Sequence, residues 1–157
     1  RLQNEGFRAL RDTLEVRAAQ RAAIPSICPV DGGYLSSGFG TRPDPFTGLP
    51  TLHEGADFVV PIGSRVRATA DGTVRSVGFE RGYGHVVVVQ HDARVATRYA
   101  HLSQSLVARG ATVRRGDVIA LSGKSGRAVA PHLHYEVLVN GRAVNPLSYV
   151  LEQVARR

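Results

Sequence analysis

At 157 residues with 43% hydrophobic content, the chain is long enough for one globular domain with a sizeable core and a short appendage. Its net charge of +7, almost all from arginine, favours polyanionic partners, but the arginines are scattered from Arg8 to Arg157 and aromatic residues make up only 6%, which argues against a base-stacking nucleic-acid platform. No run approaches the roughly 18 to 20 consecutive apolar residues of a membrane span, and the single cysteine, Cys28, can build neither an internal disulfide nor a cysteine-based zinc knuckle and is expected to pack as a small apolar residue.

The chain opens on Arg1 rather than Met, so a fragment or processed product is expected, with any export signal or anchor lying upstream. Residues 1–23 are rich in Arg, Ala, Leu, Glu and Gln, lack proline, and place Phe7, Leu10, Leu14 and Ala18 at helical spacing. That pattern predicts one amphipathic helix, supported on its exposed side by the pairs Arg8 with Asp12 and Arg11 with Glu15. The segment 1–25 is read as this helix, a coiled-coil or linker remnant.

Pro25 and Pro29 then punctuate the chain, and the texture changes to short β-type runs separated by glycine, proline and aspartate. Strands are predicted at residues 34–38, 56–59, 65–68, 72–79, 85–91, 95–102, 118–122 and 132–139. Turn signals such as Asp71-Gly72, Gly116-Asp117 and Asn140-Gly141 fall between them. The expected fold is mainly β, an antiparallel β-sandwich or partly open barrel with an N-terminal helix. It occupies residues 26–150 and leaves a tail at 151–157.

The chemistry lies in three segments. His132 and His134 are one residue apart on a predicted strand, so alternation turns both rings to one side and Leu133 to the other. His53 and Asp57 flank Gly55, which permits a turn that lets the two side chains converge; a strand follows rather than a helix, unlike the helical His-Glu-x-x-His zinc motif. With His134 they make two imidazoles and one carboxylate, a three-ligand set that leaves the fourth tetrahedral position of a catalytic zinc for water. On the strand 95–102, alternation places Thr97, Tyr99 and His101 on one face. His101 and His132 are then free for proton transfer and for stabilising charge on a scissile carbonyl oxygen, with their roles open between them.

The ordered set HEGADF, GYGHVVVVQHD, RYAHLS, VRRGDVIALSGKSG and APHLHYEV resembles the lysostaphin-like (LytM-type) zinc metallopeptidases, which are peptidoglycan endopeptidases, over residues 36–146. The resemblance implies one Zn²⁺ held by His53, Asp57 and His134, catalytic histidines at His101 and His132, and a largely antiparallel β fold with the site in a groove. The stretch SSGFGTRPDPFTG is similar to Gram-negative periplasmic members that cut diaminopimelate cross-links, although the bond cut stays open. The implied partner is peptidoglycan, with envelope proteins meeting the N-terminal helix, no nucleic acid, and membrane contact only through an upstream anchor of an exported, periplasmic parent.

Other residues have plainer readings. His91 is expected to pack or make a supporting hydrogen bond, and His85 to be a solvated strand start. Glu136 either orients a ligand from behind or is an exposed or ion-paired carboxylate. Glu54 is expected to point away from its neighbours. Gly123-Lys124-Ser125 fails as a phosphate loop because Val118 stands where the first glycine is required. The rival reading is a non-catalytic module of the same family that activates a cell-wall amidase; such members lack parts of the ligand set, whereas all five residues are present here.

Overall fold

The computed structural model describes residues 2–149, and the expected tail at 151–157 lies outside them. The first element, α1 (Leu2–Ala22), is the predicted helix. Phe7, Leu10 and Leu14 share a face, yet all are more than half exposed, so the apolar stripe covers nothing among the described residues. Of the two expected helical ion pairs, Arg11 with Glu15 is formed at 3.5 Å. The helix joins the rest of the chain through its C-terminal end, where Ala22 accepts the Asp71 N–H, and Ser26 then donates to the Thr69 carbonyl. Cys28 is exposed rather than packed, a departure from the apolar reading.

Twelve strands follow among the described residues. The central ones are β4 (Ala56–Val59), β6 (Gly72–Glu80), β7 (Gly84–Gln90), β8 (Val95–Ser105) and β11 (Leu133–Val139). With β1 (Tyr34–Ser37) and β9 (Thr112–Val113) at the edges they form an antiparallel sheet ordered β1-β4-β11-β8-β7-β6-β9. The long strand β8 leaves this plane at its far end to pair with β10 (Val118–Ser122), which pairs in turn with β5 (Arg65–Arg67), while β12 (Arg142–Val144) pairs with β11. The sheet folds over without closing into a barrel. Between its layers lies the main core, including Val66, Val74, Val87, Leu102, Ile119 and Leu133. Val86 and Val88 face the other way into a second cluster with Ala96, Ala100 and Leu138. The uninterrupted Val86–Val89 run is therefore explained by burial on both faces, where strands need no polar alternation.

Two tyrosines, Tyr99 and Tyr135, lie wholly inside the main core and meet through Thr69, whose Oγ1 is 3.2 Å from one hydroxyl and 2.8 Å from the other. Their polar tips are thereby satisfied, as buried hydroxyls must be. His91 holds the neighbouring edge: its Nδ1–H donates to the Asp71 carbonyl at 2.8 Å and its Nε2 lies 2.8 Å from Thr97 Oγ1.

Four strands were absent from the sequence expectation: β2 (Gly40–Pro43), β3 (Pro50–His53), β9 and β12. The pair β2–β3 is a separate hairpin, with Pro43 opposite Pro50 at its tip, where the missing proline N–H breaks no ladder. Asp44 organises its turn by accepting the N–H groups of Phe46 and Thr47. Proline and glycine density hid this hairpin, and β9 and β12 are too short for any periodicity.

Candidate metal and catalytic site

His53 ends the hairpin strand β3, Asp57 lies on β4 and His134 on β11. Register brings the last two together, since His134 is directly opposite Asp57 in the β4–β11 ladder. The tight turn between His53 and Asp57 depends on Gly55, though for a reason other than backbone freedom. A Cβ there would overlap the Tyr135 carbonyl oxygen and meet His134 Cε1 at 2.9 Å, so only glycine lets the turn lie flat on β11.

The three donor atoms converge. His53 Nε2 is 3.1 Å from Asp57 Oδ1 and 3.3 Å from His134 Nδ1, and His134 Nδ1 is 2.8 Å from Asp57 Oδ1. All three residues are buried, and as a group they can hold a metal ion. The remaining ligand-side atoms are tied from behind. His53 Nδ1–H donates to the Gly38 carbonyl at 2.7 Å, His134 Nε2–H to Glu136 Oε1 at 2.9 Å, and Arg42 Nη2 reaches Asp57 Oδ2 at 3.3 Å. Each ring is left with one nitrogen, and the carboxylate with one oxygen, aimed at the common point.

Glu136 resolves between its two readings by taking both. It is wholly buried, accepts from His134 and from the Tyr83 hydroxyl at 2.8 Å, and is ion-paired with Arg98 at 2.8 Å. Burial works to raise the pKa of Asp57 and of Glu136, but hydrogen bonds and charge from the histidines, joined at Glu136 by Tyr83 and Arg98, hold both carboxyls below their ordinary range. Burial works to lower His134, and its hydrogen bonds to Asp57 and Glu136 outweigh that, raising it to about 9 in the metal-free chain.

His101 and His132 open on the same cavity, of about 430 Å³. Their ring centroids are 4.6 Å apart. For His101 the alternation argument failed: Tyr99 points into the main core, whereas His101 turns toward the site because its φ of 57° interrupts the side-chain alternation within β8. A left-handed non-glycine residue is uncommon, and this one is held by its N–H on the Tyr83 carbonyl and its Nδ1–H on the Ser125 carbonyl at 2.7 Å. Burial pushes the ring down to about 4 against that hydrogen bond, and the neighbouring His132 and His134 add to the fall. His132 precedes β11, in a bridge to Gly123; its Nδ1–H donates to the Ala130 carbonyl at 2.8 Å and its Nε2 lies 3.7 Å from Asp57 Oδ1. In their neutral forms both rings therefore present Nε2 as a free acceptor.

Several contributors were not singled out from sequence. Arg42, Tyr83 and Ser125 each touch a histidine or a ligand, and Glu54 faces the cavity instead of pointing away, 3.5 Å from the Tyr83 hydroxyl. Gly84 and Gly126, both at φ 73°, pack the Tyr83 turn against the Ser125 loop so closely that neither tolerates a Cβ. The tripeptide rejected as a phosphate loop thus leads into a His101 support. His85 is exposed, as expected for a solvated strand start, and its N–H donates to Ser125 Oγ.

Residues 51–146 match the family model described as Peptidase family M23. The chain is 46% identical over 135 residues to the DD-carboxypeptidase/endopeptidase Mpg of Neisseria meningitidis, covering 86% of this chain and 31% of that protein. It is 45% identical over 121 residues to the peptidoglycan DD-endopeptidase ShyA of Vibrio cholerae, covering 76% and 28%. The chain thus spans about a third of the length of such relatives. Among solved structures it resembles a zinc-containing peptidase from Vibrio cholerae, with TM-score 0.71, 43% identity, and 76% and 38% of the two chains covered. It also resembles the catalytic domain of lysostaphin from Staphylococcus simulans, with TM-score 0.70, 30% identity, and 76% and 92% covered.

Proposed function

The chain belongs to peptidase family M23, and from that premise we propose that residues 26–150 form a zinc-dependent endopeptidase unit that hydrolyses peptide cross-links or stem peptides of bacterial peptidoglycan. The observation that carries this reading is the triangle of His53 Nε2, Asp57 Oδ1 and His134 Nδ1, with edges of 2.8 to 3.3 Å. Tetrahedral zinc with bonds of about 2.0 to 2.1 Å has ligand–ligand edges of roughly 3.3 Å, so these atoms fit one face of such a site with little movement. The relatives named as DD-endopeptidases support a cross-link as the substrate.

When bound there, the metal supplies a Lewis acid that polarises a carbonyl and lowers the pKa of water from 15.7 toward about 7. The chain's own groups do the rest. His101, neutral with Nδ1–H fixed on Ser125, takes the proton of the attacking water at Nε2 and delivers it to the leaving amine. His132, whose ring lies 4.6 Å from that of His101, donates from Nε2 in its charged form to the carbonyl oxygen as negative charge develops. Arg42 and Glu136 keep the ligand side chains from rotating.

We assign the enzyme to the envelope of a Gram-negative cell, in the periplasm where this substrate lies, with the exposed Phe7, Leu10 and Leu14 stripe of α1 available to an envelope protein. His53→Ala and Asp57→Ala are expected to lose metal by elemental analysis. His101→Ala keeps the metal and loses about 10²- to 10⁴-fold in kcat. Digestion of purified sacculi with mass analysis of the fragments identifies the bond; full zinc loading and unimpaired hydrolysis after Asp57→Ala would overturn the assignment.

A further inference from the structure

Beside the catalytic cavity, and sharing Leu52 and Glu54 with it as a common wall, lies a second cavity of about 450 Å³. Its floor is apolar, from Leu138 and Ala143, and its rim carries three arginines, Arg75, Arg98 and Arg142. The apolar floor follows from the ladder: Leu138 lies opposite both Ala96 and Ala143, on the sheet face that also bears His134 and Glu136. The three guanidiniums differ in commitment. Arg98 is taken by Glu136, Arg75 donates only to the neutral amide of Gln90 at 2.9 Å, and Arg142 has no partner among the described residues. The one carboxylate lining this cavity, Glu54, is spoken for by nothing closer than the Tyr83 hydroxyl at 3.5 Å.

Resting on the proposed peptidase reading, we infer that this cavity is a substrate subsite for an aliphatic residue that carries a free carboxylate. The methylene stem lies on Leu138 and Ala143, and the carboxylate is received by Arg75 and Arg142. Guanidinium forks match a carboxylate in geometry and charge, and two of these three lack an anionic partner. A purely glycyl bridge offers neither the stem nor the charge, so the cavity selects for cross-links whose bonded residues keep a carboxylate. Glu54, between the two cavities, adds a place for an amino group on the same substrate.

The test uses the zinc-loaded chain and a muropeptide dimer whose cross-linking diaminopimelate carboxylate is free, beside the same dimer with that carboxylate amidated. Wild type is expected to show kcat/KM about tenfold higher for the acid, the effect of one charge-assisted hydrogen bond, with the difference in KM. In Arg75→Gln/Arg142→Gln the two substrates converge to within about twofold, through loss on the acid alone. Equal cleavage of acid and amide by wild type, or discrimination that survives in the double variant, overturns the subsite. If neither dimer is cut, the peptidase assignment fails, and calorimetric binding of the two dimers still judges the subsite: tenfold tighter binding of the acid, lost in the double variant, supports it, and equal binding overturns it.

Discussion

At the scale of single residues, the site's quality rests on groups that do not reach the metal point. His134 can present Nδ1 only because Nε2 is held by Glu136, and Glu136 is itself held by Tyr83 and Arg98. Glu136→Gln keeps the volume but offers a weaker acceptor, so metal affinity is expected to fall about 10- to 100-fold in chelator competition, the usual cost of losing such a partner. Tyr83→Phe removes one of the two other hydrogen bonds to the same carboxylate and should cost less. Unchanged affinity in Glu136→Gln would mean that packing alone orients the His134 ring.

At the scale of elements, the site is assembled by a strand-to-strand turn lying on a neighbouring strand, and Gly55 is where that contact is tightest. Gly55→Ala forces the β3–β4 turn off β11, with an expected loss of about 1 to 3 kcal/mol, typical of overpacking, measured from the denaturation midpoint. Gly78→Ala, with open space around its position, should stay within about 0.5 kcal/mol of wild type; equal losses at both would refute the close-approach argument. The same elements show what the sequence could convey. His53, Asp57, His132 and His134 were legible because ligand chemistry needs particular side chains at short spacing, and strand alternation orients His134 relative to Leu133 correctly. The orientation of His101 was not legible, since a positive φ inside β8 leaves no mark on a period-two pattern. Nor was Ser125, which acts through its carbonyl oxygen and could be almost any residue in that role. The hairpin β2–β3 was lost among prolines, although it supplies Arg42 and its last residue is His53.

At the scale of the whole molecule, α1 is joined to the sheet through the Ala22 carbonyl at its C-terminal end. The helix buries none of its apolar stripe against the sheet, so removing residues 1–20 while keeping the Ala22 carbonyl that receives Asp71 should leave the unfolding free energy within about 0.5 kcal/mol. A larger loss would reveal packing that the exposure of Phe7, Leu10 and Leu14 does not suggest. Part of the fold's sensitivity to acid comes from His91, which bridges the Asp71 carbonyl and Thr97 Oγ1. Burial depresses its pKa below the ordinary 6.5, against the raising effect of the Asp71 carbonyl and of the charges on Asp92 and Asp71. Between that depressed value and 6.5 the unfolded chain binds more protons at this residue than the folded one, so folding stability rises with pH across the interval. The His91 contribution is therefore complete above about pH 6.5 and is lost progressively as pH falls below it. His91→Gln removes the titration and weakens the two hydrogen bonds, at an expected cost of about 1 to 2 kcal/mol at pH 8. On metal-free protein, thermal midpoints from pH 8 to pH 5 should thus start lower in the variant but decline less steeply than in wild type, and two parallel curves would exclude His91 as an acid-sensitive support of the fold.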